Sequence, residues 1–495
     1  MPQLLAKTTV GQVRGEALGG GIVFKGIPYA VSPVGPRRFR PPEPVESWKG
    51  IRETTQFGPA CPQVQRTPSP ILGKMQHIPV PLDEDCLSLN VWTPAADDAR
   101  RPTMVWIHGG GFIGTGCTWP FDDGTAFIRD DVILVTINYR LGPFGFLYLD
   151  ELFDQASQTG NLGLLDQIAA LEWVRDNIAA FGGDPDNVTV FGESFGAVCV
   201  QTLLGMPGAR GLFRRAISQS AVQLYRRPDT AHAIAQQVLK HIGVRAGDWA
   251  TLASVPASHL VEASLNVRDP EPRFGSIWKP IVDGITLPDT PTRLVAAGHA
   301  KGVDLLVGYN ADEWRILYFG SPPGTIPAPD VASLFATSGL TPEEVYATYA
   351  ASRSGATEQD VSAAVESDLT ITIPTIRLAQ AQLRHMDRVW VYQFDWSTPV
   401  LGGIFGAFHM LDLPFTFERY DNPALLGDDP PKALGRDLHG ALVRFAATGD
   451  PNGGALPHWP GYDLHRRQTM LFDSPCAVAE NPRAAIRELW EHVEI

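Results

Sequence analysis

The stretch FGESFGAVCV, residues 191–200, places a serine between two glycines directly after a run of strand formers. The small and apolar residues from Ala197 onward favour a buried helix, so Ser194 lies at a strand-to-helix corner. Such a corner strains the central residue and needs glycine two positions to either side. It also lifts the Ser194 hydroxyl clear of the sheet, as a nucleophile requires. An isolated G-x-S-x-G also occurs in ordinary tight turns, so further motifs are needed to choose.

Composition bounds the classes of protein that fit this chain. The 495 residues carry a formal net charge of -14, and 44% of them are hydrophobic. Nucleic acid would be repelled, and no cluster of Lys and Arg with interleaved aromatic residues offsets that repulsion. No run of about 18 apolar residues and no signal-like N-terminus occur, so we expect a cytoplasmic protein without a membrane anchor. The five cysteines include no C-x-x-C pair, and no metal site is implied.

Short β-rich runs alternate with longer helical stretches from residue 103 to residue 396. Alternation of this kind is typical of parallel βαβ units. We therefore expect one α/β domain over residues 1–495, with a large, mostly parallel sheet flanked by helices. Two long segments rich in helix formers and proline, 222–300 and 314–387, are expected to be insertions that cap the C-terminal edge of the sheet. In open α/β sheets, ligands bind at that edge.

A second glycine-rich motif, WIHGGGF at residues 106–112, follows one of the predicted strands. Glycines leave backbone N–H groups bare, and such donors can converge on a developing oxyanion, each contributing about 3 kcal/mol. A flexible glycine turn is the alternative interpretation. Combined with a downstream serine corner, the motif fits one hydrolase plan, in which this loop and the residue after the nucleophile share the oxyanion.

Further motifs follow in order along nearly the whole chain. They are FKGIPYA, RFRPPEP, EDCLSLNVWTP, NYRLGPFGFL, NLGLLDQ, FGGDPDNVTVFGESFGA, PIVDGITLPDTP, AFHMLDLPF, ATGDPN and WPGYD. Together they resemble the type-B carboxylesterases, the family of bacterial para-nitrobenzyl esterases, animal carboxylesterases and cholinesterases. The resemblance implies an α/β-hydrolase fold and a serine esterase that needs no cofactor.

The resemblance implies a catalytic triad at named positions. Ser194 is the expected nucleophile, Glu313 in VGYNADEW the expected acid and His409 in AFHMLDLPF the expected base. The chain order Ser, acid, His is also the order that this fold requires. Asp312 is a rival acid, because Trp314 stands where relatives often have glycine. With an ordinary imidazole pKa, His409 would titrate roughly between pH 6 and 7.5.

The resemblance also implies supporting positions around the triad. The N–H groups of Gly110, Gly111 and Phe195 are expected to form the oxyanion hole, although most relatives have alanine at the position of Phe195. Ser220 matches a serine that is often hydrogen-bonded to the triad, with a plain strand-end serine as the alternative. Glu193 could bind a cationic substrate or be satisfied by buried polar neighbours.

Cys61 and Cys86 match the first disulfide of the family. In a reducing cytoplasm we expect the two side chains to lie close together as thiols. Relatives that bind choline place a tryptophan inside the loop between these cysteines, but residues 62–85 contain no Phe, Trp or Tyr. The aromatic face that a quaternary ammonium group requires is therefore expected to be absent.

The leading hypothesis is a serine carboxylesterase that acts on a small-molecule ester through an acyl-enzyme intermediate. A carbamate or amide hydrolase with the same triad is the main alternative, because nothing in the sequence determines the leaving group. A non-catalytic binding protein is a further alternative, since some relatives have lost the serine. Here the serine, the acid, the base and the glycine loop are all present. We expect a monomer or a weak dimer, with neither nucleic acid nor a membrane as partner.

Overall fold

The computed structural model of this chain describes residues 4–64, 80–111, 116, 123–154, 156, 158–270, 276–320, 339–353 and 355–493. The strands in these residues are β1 (Leu5–Lys7), β2 (Gln12–Arg14), β3 (Glu16–Leu18), β4 (Gly21–Pro28), β5 (Ile51–Glu53), β6 (Ser88–Thr93), β7 (Arg101–Ile107), β8 (Ile133–Ile137), β9 (Gly183–Glu193), β10 (Arg215–Gln219), β11 (Asp304–Asn310), β12 (Val389–Phe394), β13 (Thr469–Phe472) and β14 (Ala477–Ala479).

The helices in the same residues are α1 (Thr125–Arg129), α2 (Gly142–Phe146), α3 (Leu162–Asn177), α4 (Phe195–Gly205), α5 (Pro228–Ile242), α6 (Trp249–Ser254), α7 (Ala257–Leu265), α8 (Pro291–Ala296), α9 (Arg315–Gly320), α10 (Pro342–Ser352), α11 (Glu358–Ser367), α12 (Ile373–Gln382), α13 (Leu413–Thr416), α14 (Pro423–Leu426), α15 (Lys432–Thr448) and α16 (Ala484–Leu489). A π-helical turn, Asp368–Thr372, joins α11 to α12. Within the described ranges, no helix combines the length and the apolar character needed to cross a bilayer.

Most of the strands belong to one mixed sheet. In the described part of the chain its strand order is β14-β13-β12-β11-β10-β9-β7-β8-β6-β4-β3. The neighbours from β13 to β8 in that order pair in parallel, and antiparallel pairs lie at the two edges. A separate small sheet contains β1, β2 and β5. The predicted α/β class with a large, mostly parallel sheet is therefore confirmed.

The large sheet separates two apolar cores, because successive side chains of a strand point to opposite faces. On β7, Val105 packs in one core and Trp106 in the other. On β9, Val190 packs in the same core as Val105, and Phe191 packs in the same core as Trp106. Strands covered on both faces read as continuous apolar runs, which is why the sequence pattern marked them so clearly.

The serine corner joins the end of β9 to the start of α4. Ser194 has φ 56° and ψ −124°, a conformation that a residue with a side chain rarely adopts. A Cβ on Gly192 would lie 2.7 Å from the carbonyl oxygen of Gly196, and a Cβ on Gly196 would overlap the carbonyl oxygen of Ile107 at the end of β7. Both glycines are therefore required because β9, α4 and β7 meet there at backbone distance.

The two segments predicted as insertions are largely helical. The first, 222–300, contains α5 to α8, and the second, 314–387, contains α9 to α12; residues 271–275 and 321–338 of these segments lie outside the described ranges. They follow β10 and β11, so both leave the sheet at its C-terminal edge. The backbone N–H of Gln223 in the first donates to the carbonyl of Thr370 in the second at 3.0 Å. That these segments act as a cap stays a prediction.

Replacing Gly196 with alanine tests the packing at the corner. We expect Gly196→Ala to lower the free energy of unfolding by about 1–3 kcal/mol or more and to reduce activity, because the added methyl overlaps backbone. The matched control is Gly461→Ala, where a Cβ would lie 3.5 Å from the nearest atom, the carbonyl oxygen of Asp387. Urea unfolding of both variants measures the difference, and equal stabilities would contradict the packing argument.

Candidate active site

Three of the predicted residues form one line of hydrogen bonds at the C-terminal edge of the sheet. Ser194 follows β9, Glu313 follows β11, and His409 lies in the loop between β12 and α13. His409 Nε2 lies 2.8 Å from Ser194 Oγ, and His409 Nδ1 lies 2.6 Å from Glu313 Oε2. Ser194 and His409 are each 8% exposed, whereas Glu313 is fully buried. The structure thus brings the nucleophile, base and acid expected from the sequence into mutual contact.

The carboxylates of Glu313 and Asp312 point in different directions. The carboxylate of Glu313 contacts the imidazole of His409. The backbone carbonyl of Glu313 also accepts from the backbone N–H of His409 at 2.8 Å. Asp312 Oδ1 instead accepts from Arg353 Nη1 at 2.9 Å, and its Oδ2 accepts from the N–H of Ala407 at 3.2 Å. Neighbouring side chains at a strand end diverge, so only one of the two carboxylates reaches the imidazole. That carboxylate is Glu313.

The glycine loop passes directly beside the nucleophile. A Cβ on Gly109 would lie 3.2 Å from the Ser194 Cβ, so the loop backbone is in contact with the serine. Gly110 and Gly111 both have positive φ, 100° and 72°. Such backbone favours glycine, because a side chain would be strained there. Phe195 is the first residue of α4, whose N-terminus begins at the serine. The loop beyond Gly111 continues into residues outside the described ranges.

Glu193 lies directly beside the imidazole of His409. Its side chain is 2% exposed, and Oε1 lies 3.4 Å from His409 Nε2. Within the described residues, Oε1 has no hydrogen-bond partner. Burial, with smaller contributions from the charges of Asp412 and Glu313, raises the pKa of Glu193 to about 8, against the opposing effect of His409. One oxygen of this carboxyl group therefore faces the His409 imidazole.

The predicted hydrogen bond from Ser220 to the triad is not formed. Ser220 is fully buried just after β10, and its Oγ has no hydrogen-bond partner among the described residues. The backbone N–H of Ser220 donates to the carbonyl of Gly308 at 2.8 Å, which holds the chain with φ 52°. The family resemblance led us to expect a serine hydroxyl at this position, but the direction of the hydroxyl depends on the backbone conformation of Ser220.

The imidazole of His409 is surrounded by carboxyl groups. Burial alone would lower its pKa, but the charge of Glu193 and the hydrogen bond with Glu313 outweigh burial and raise the pKa to about 9. A proton on Glu193 removes part of that effect, so Glu193 and His409 titrate as a pair. Both pKa values lie above neutrality, which moves the expected titration above the range between about pH 6 and 7.5 of an ordinary imidazole.

A buried polar group beneath the triad was missed by the sequence analysis. Asp412 Oδ2 accepts hydrogen bonds from Gln219 Nε2 at 2.9 Å and from the Tyr392 hydroxyl at 3.1 Å. Burial and the charge of Glu313 raise the pKa of Asp412 to about 6. The carbonyl of Gln219 in turn accepts from the N–H of Ser194 at 2.9 Å. The signal was available, because AFHMLDLPF places a single acidic residue among aromatic and apolar ones.

The cysteines in the described ranges, Cys61, Cys86, Cys199 and Cys476, are free thiols. Cys61 and Cys86 are both buried, and a hydrogen bond with Cys61, together with burial, raises the pKa of the Cys86 thiol. This agrees with the expectation of two neighbouring thiols. Most of the loop between them, residues 65–79, lies outside the described ranges. In the described part of the chain, no group of three or more His, Cys, Asp or Glu side chains could hold a metal ion.

Comparison with known proteins identifies the family. A sequence profile described as the carboxylesterase family matches residues 2–490. The chain belongs to the carboxylesterase family. This carboxylesterase is 37% identical to the para-nitrobenzyl esterase of Bacillus subtilis (strain 168) over 499 residues, which cover 99% of this chain and 98% of the relative. It is 34% identical to the phenmedipham hydrolase of Pseudarthrobacter oxydans over 92% of each chain.

Solved structures agree with the sequence comparisons. The carboxylesterase of Geobacillus stearothermophilus at pH 6.2 superposes with a TM-score of 0.87 at 40% identity, covering 99% of this chain and 100% of that one. A PNB esterase structure superposes with a TM-score of 0.87 at 36% identity, covering 98% of this chain and 99% of that one. The predicted α/β-hydrolase fold is confirmed, and this carboxylesterase is a carboxylic ester hydrolase rather than a non-catalytic binding protein.

A pair of isosteric substitutions tests the choice of acid. We expect Glu313→Gln to lower kcat by about 10⁴, because an amide cannot hold the correct imidazole tautomer or stabilise the imidazolium. Asp312→Asn is the control, since Asp312 pairs with Arg353, and it should leave kcat within about tenfold. Both variants are assayed on one p-nitrophenyl ester, with folding checked by circular dichroism. A mild Glu313→Gln combined with an inactive Asp312→Asn would reverse the assignment.

The pH dependence tests the electrostatics around His409. The base must be neutral to accept the serine proton, and its pKa is raised to about 9, so kcat/KM should still increase above pH 7, reach half its maximum near pH 9 and level off only above that. Glu193→Gln removes the charge that contributes most to the raised pKa of His409 and should shift the profile by about one pH unit or more toward acid.

The matched control for this shift is Glu366→Gln. Glu366 is a buried carboxyl group whose pKa is raised to about 7 by burial, and its Oε2 accepts from the Tyr318 hydroxyl at 2.6 Å. This control should leave the position of the profile unchanged. A Glu193→Gln profile that coincides with the wild-type profile would contradict the proposed coupling.

Proposed function

We propose that this carboxylesterase cleaves small-molecule esters with Ser194 as nucleophile, His409 as general base and acid, and Glu313 as the acid that orients His409. The observation that carries the proposal is the unbroken line of hydrogen bonds from Ser194 Oγ through the imidazole to Glu313 Oε2, at 2.8 and 2.6 Å. The strained backbone of Ser194 supports it, since strain at a single residue is typical of functional sites.

In the proposed reaction, Ser194 Oγ attacks the ester carbonyl carbon while its proton passes to His409 Nε2. His409 then gives that proton to the alcohol oxygen as the bond between the carbonyl carbon and that oxygen breaks, leaving an acyl group on Ser194. A water molecule donates a proton to His409 and attacks the acyl carbon. Release of the carboxylic acid restores the Ser194 hydroxyl, so no cofactor takes part.

The developing oxyanion is proposed to bind the backbone N–H groups of Gly110, Gly111 and Phe195. Two features support this: the contact between the glycine loop and Ser194, and the position of Phe195 at the start of α4. The positive end of the helix dipole favours negative charge at that point. Phe195 itself is 5% exposed, so its side chain adds little to an open pocket.

The substrate class is proposed from the site and from the relatives together. A para-nitrobenzyl esterase among the relatives supports esters of small alcohols. Carbamate or amide hydrolysis is the second candidate, because the same triad serves those reactions, and the similarity to a phenmedipham hydrolase favours testing that compound directly.

The remaining proposals concern the cell and the assembly. We propose a cytoplasmic enzyme that is a monomer or a weak dimer. In that reducing compartment we expect the neighbouring buried cysteines, Cys61 and Cys86, to stay as thiols.

Loss of the serine hydroxyl is the direct test of the proposed function. We expect Ser194→Ala to lower kcat by several powers of ten with the fold unchanged, because the substitution removes only the hydroxyl group. Activity is measured on p-nitrophenyl esters of graded acyl length, on phenmedipham and on a p-nitroanilide. Retention of a tenth of the activity would exclude Ser194 as nucleophile, and a preference for the last two substrates would favour the second candidate function.

A further inference from the structure

An indole ring packs on the base of the proposed triad. Trp314 directly follows Glu313, and the centroid of its ring lies 4.6 Å from the centroid of the His409 ring, with 40° between the two planes. The side chain of Trp314 is almost fully buried. The imidazole is thus held by hydrogen bonds at both nitrogens and by an aromatic ring against one face.

The indole is itself held in place by the second helical segment. The backbone N–H of Trp314 donates to Ser367 Oγ at 3.1 Å, and its ring Nε1–H donates to Thr370 Oγ1 at 2.7 Å. Each of these hydroxyl groups donates its own proton to a backbone carbonyl four residues earlier. Each hydroxyl therefore accepts from Trp314 with a fixed orientation. Thr370 lies in the π-helical turn, a distortion that is frequent at functional sites.

We propose that Trp314 is a positioning residue for His409: its ring fixes the imidazole between Glu313 and Ser194 and stabilises the imidazolium that forms during the reaction. The physical basis is the attraction between a cation and the face of an aromatic ring within about 6 Å, which is strongest for tryptophan. The inference rests on the proposed function, because it assigns Trp314 to the same base.

The charged groups that face His409 are carboxyl groups from three parts of the fold. Glu193 ends β9, Glu313 follows β11, and Asp412 directly precedes α13. None of them is altered by a substitution at Trp314. A change in the pH at which His409 titrates in a Trp314 variant therefore measures the effect of the indole ring when the replacement side chain still excludes water.

Two substitutions separate the aromatic face from simple exclusion of water. Trp314→Leu keeps an apolar side chain and removes the ring, whereas Trp314→Phe keeps a ring and removes the N–H group. Thr370→Val keeps the indole and removes its acceptor. The control is Trp390→Phe on β12, since Trp390 is buried to a similar extent and packs on Phe445 rather than on His409.

Two measurements are made on each variant from pH 5 to 10. One is kcat and KM for p-nitrophenyl acetate. The other is the rate at which diisopropyl fluorophosphate inactivates Ser194, which follows the ionisation of the base without turnover. For Trp314→Leu we expect kcat to fall about 2- to 30-fold with KM nearly unchanged, and both pH profiles to move about 0.4 to 1.5 units toward acid.

The remaining variants are expected to form a graded series. Trp314→Phe should keep most of kcat and most of the profile position, Thr370→Val should fall between Phe and Leu, and Trp390→Phe should match the wild-type enzyme in both. A profile that moves toward alkaline pH in Trp314→Leu would overturn the proposal, because it would mean that the indole only keeps water away from the imidazole.

Two other outcomes would also overturn the proposal. The first is unchanged kcat and profile in a folded Trp314→Leu, and the second is an equal shift in Trp390→Phe. Failure of the triad itself is distinguishable, because it would appear as turnover, or reaction with the organophosphate, in Ser194→Ala. If Trp314→Leu does not fold, the comparison of Trp314→Phe with Thr370→Val still tests the proposal. Wild-type kcat and a wild-type pH profile in both of these variants would contradict the proposed anchoring.

Discussion

The candidate active site depends on the backbone contact where α4 begins against the end of β7. Gly196 leaves no room for a Cβ beside the carbonyl of Ile107, and a Cβ on Gly192 would lie 2.7 Å from the carbonyl oxygen of Gly196. This close approach holds Ser194 at positive φ and sets the glycine loop against it. Strain of that kind persists only where surrounding structure over-determines it, and here two buried strands and a buried helix do so.

Around this corner the protein buries three carboxyl groups. Glu193, Glu313 and Asp412 all surround His409, and burial raises the pKa values of Glu193 and Asp412. The arrangement favours a protonated imidazole, which is the species formed when the serine proton is transferred. The same arrangement opposes a neutral base at rest. The carboxyl groups that stabilise the imidazolium therefore also lower the fraction of His409 that is neutral and able to accept a proton. That fraction depends on the pH.

The helical segments after β10 and β11 are connected to this chemistry through specific contacts. In the segment 314–387, Ser367 accepts from the backbone N–H of Trp314 and the Thr370 hydroxyl accepts from its indole N–H. The backbone carbonyl of Thr370 also accepts from the N–H of Gln223 in the other segment. Insertions at the C-terminal edge of an α/β sheet usually contribute substrate contacts. Here one of the two helical segments also reaches the proposed base, through Trp314.

The sequence by itself determined the strands of the parallel sheet, the serine corner and the glycine loop. These features are local: a buried parallel strand needs an apolar run, and a corner without room for a Cβ needs glycine. Only the tertiary structure decided that Glu313 rather than Asp312 reaches His409, that Asp412 lies beneath the triad and that Ser220 does not bond to it. Adjacent side chains at a strand end diverge, and which of them faces the site depends on partners such as Arg353 that are distant in the chain. The direction of a side chain depends on packing between elements that are distant in the chain, so it cannot be predicted from the residues of one element alone.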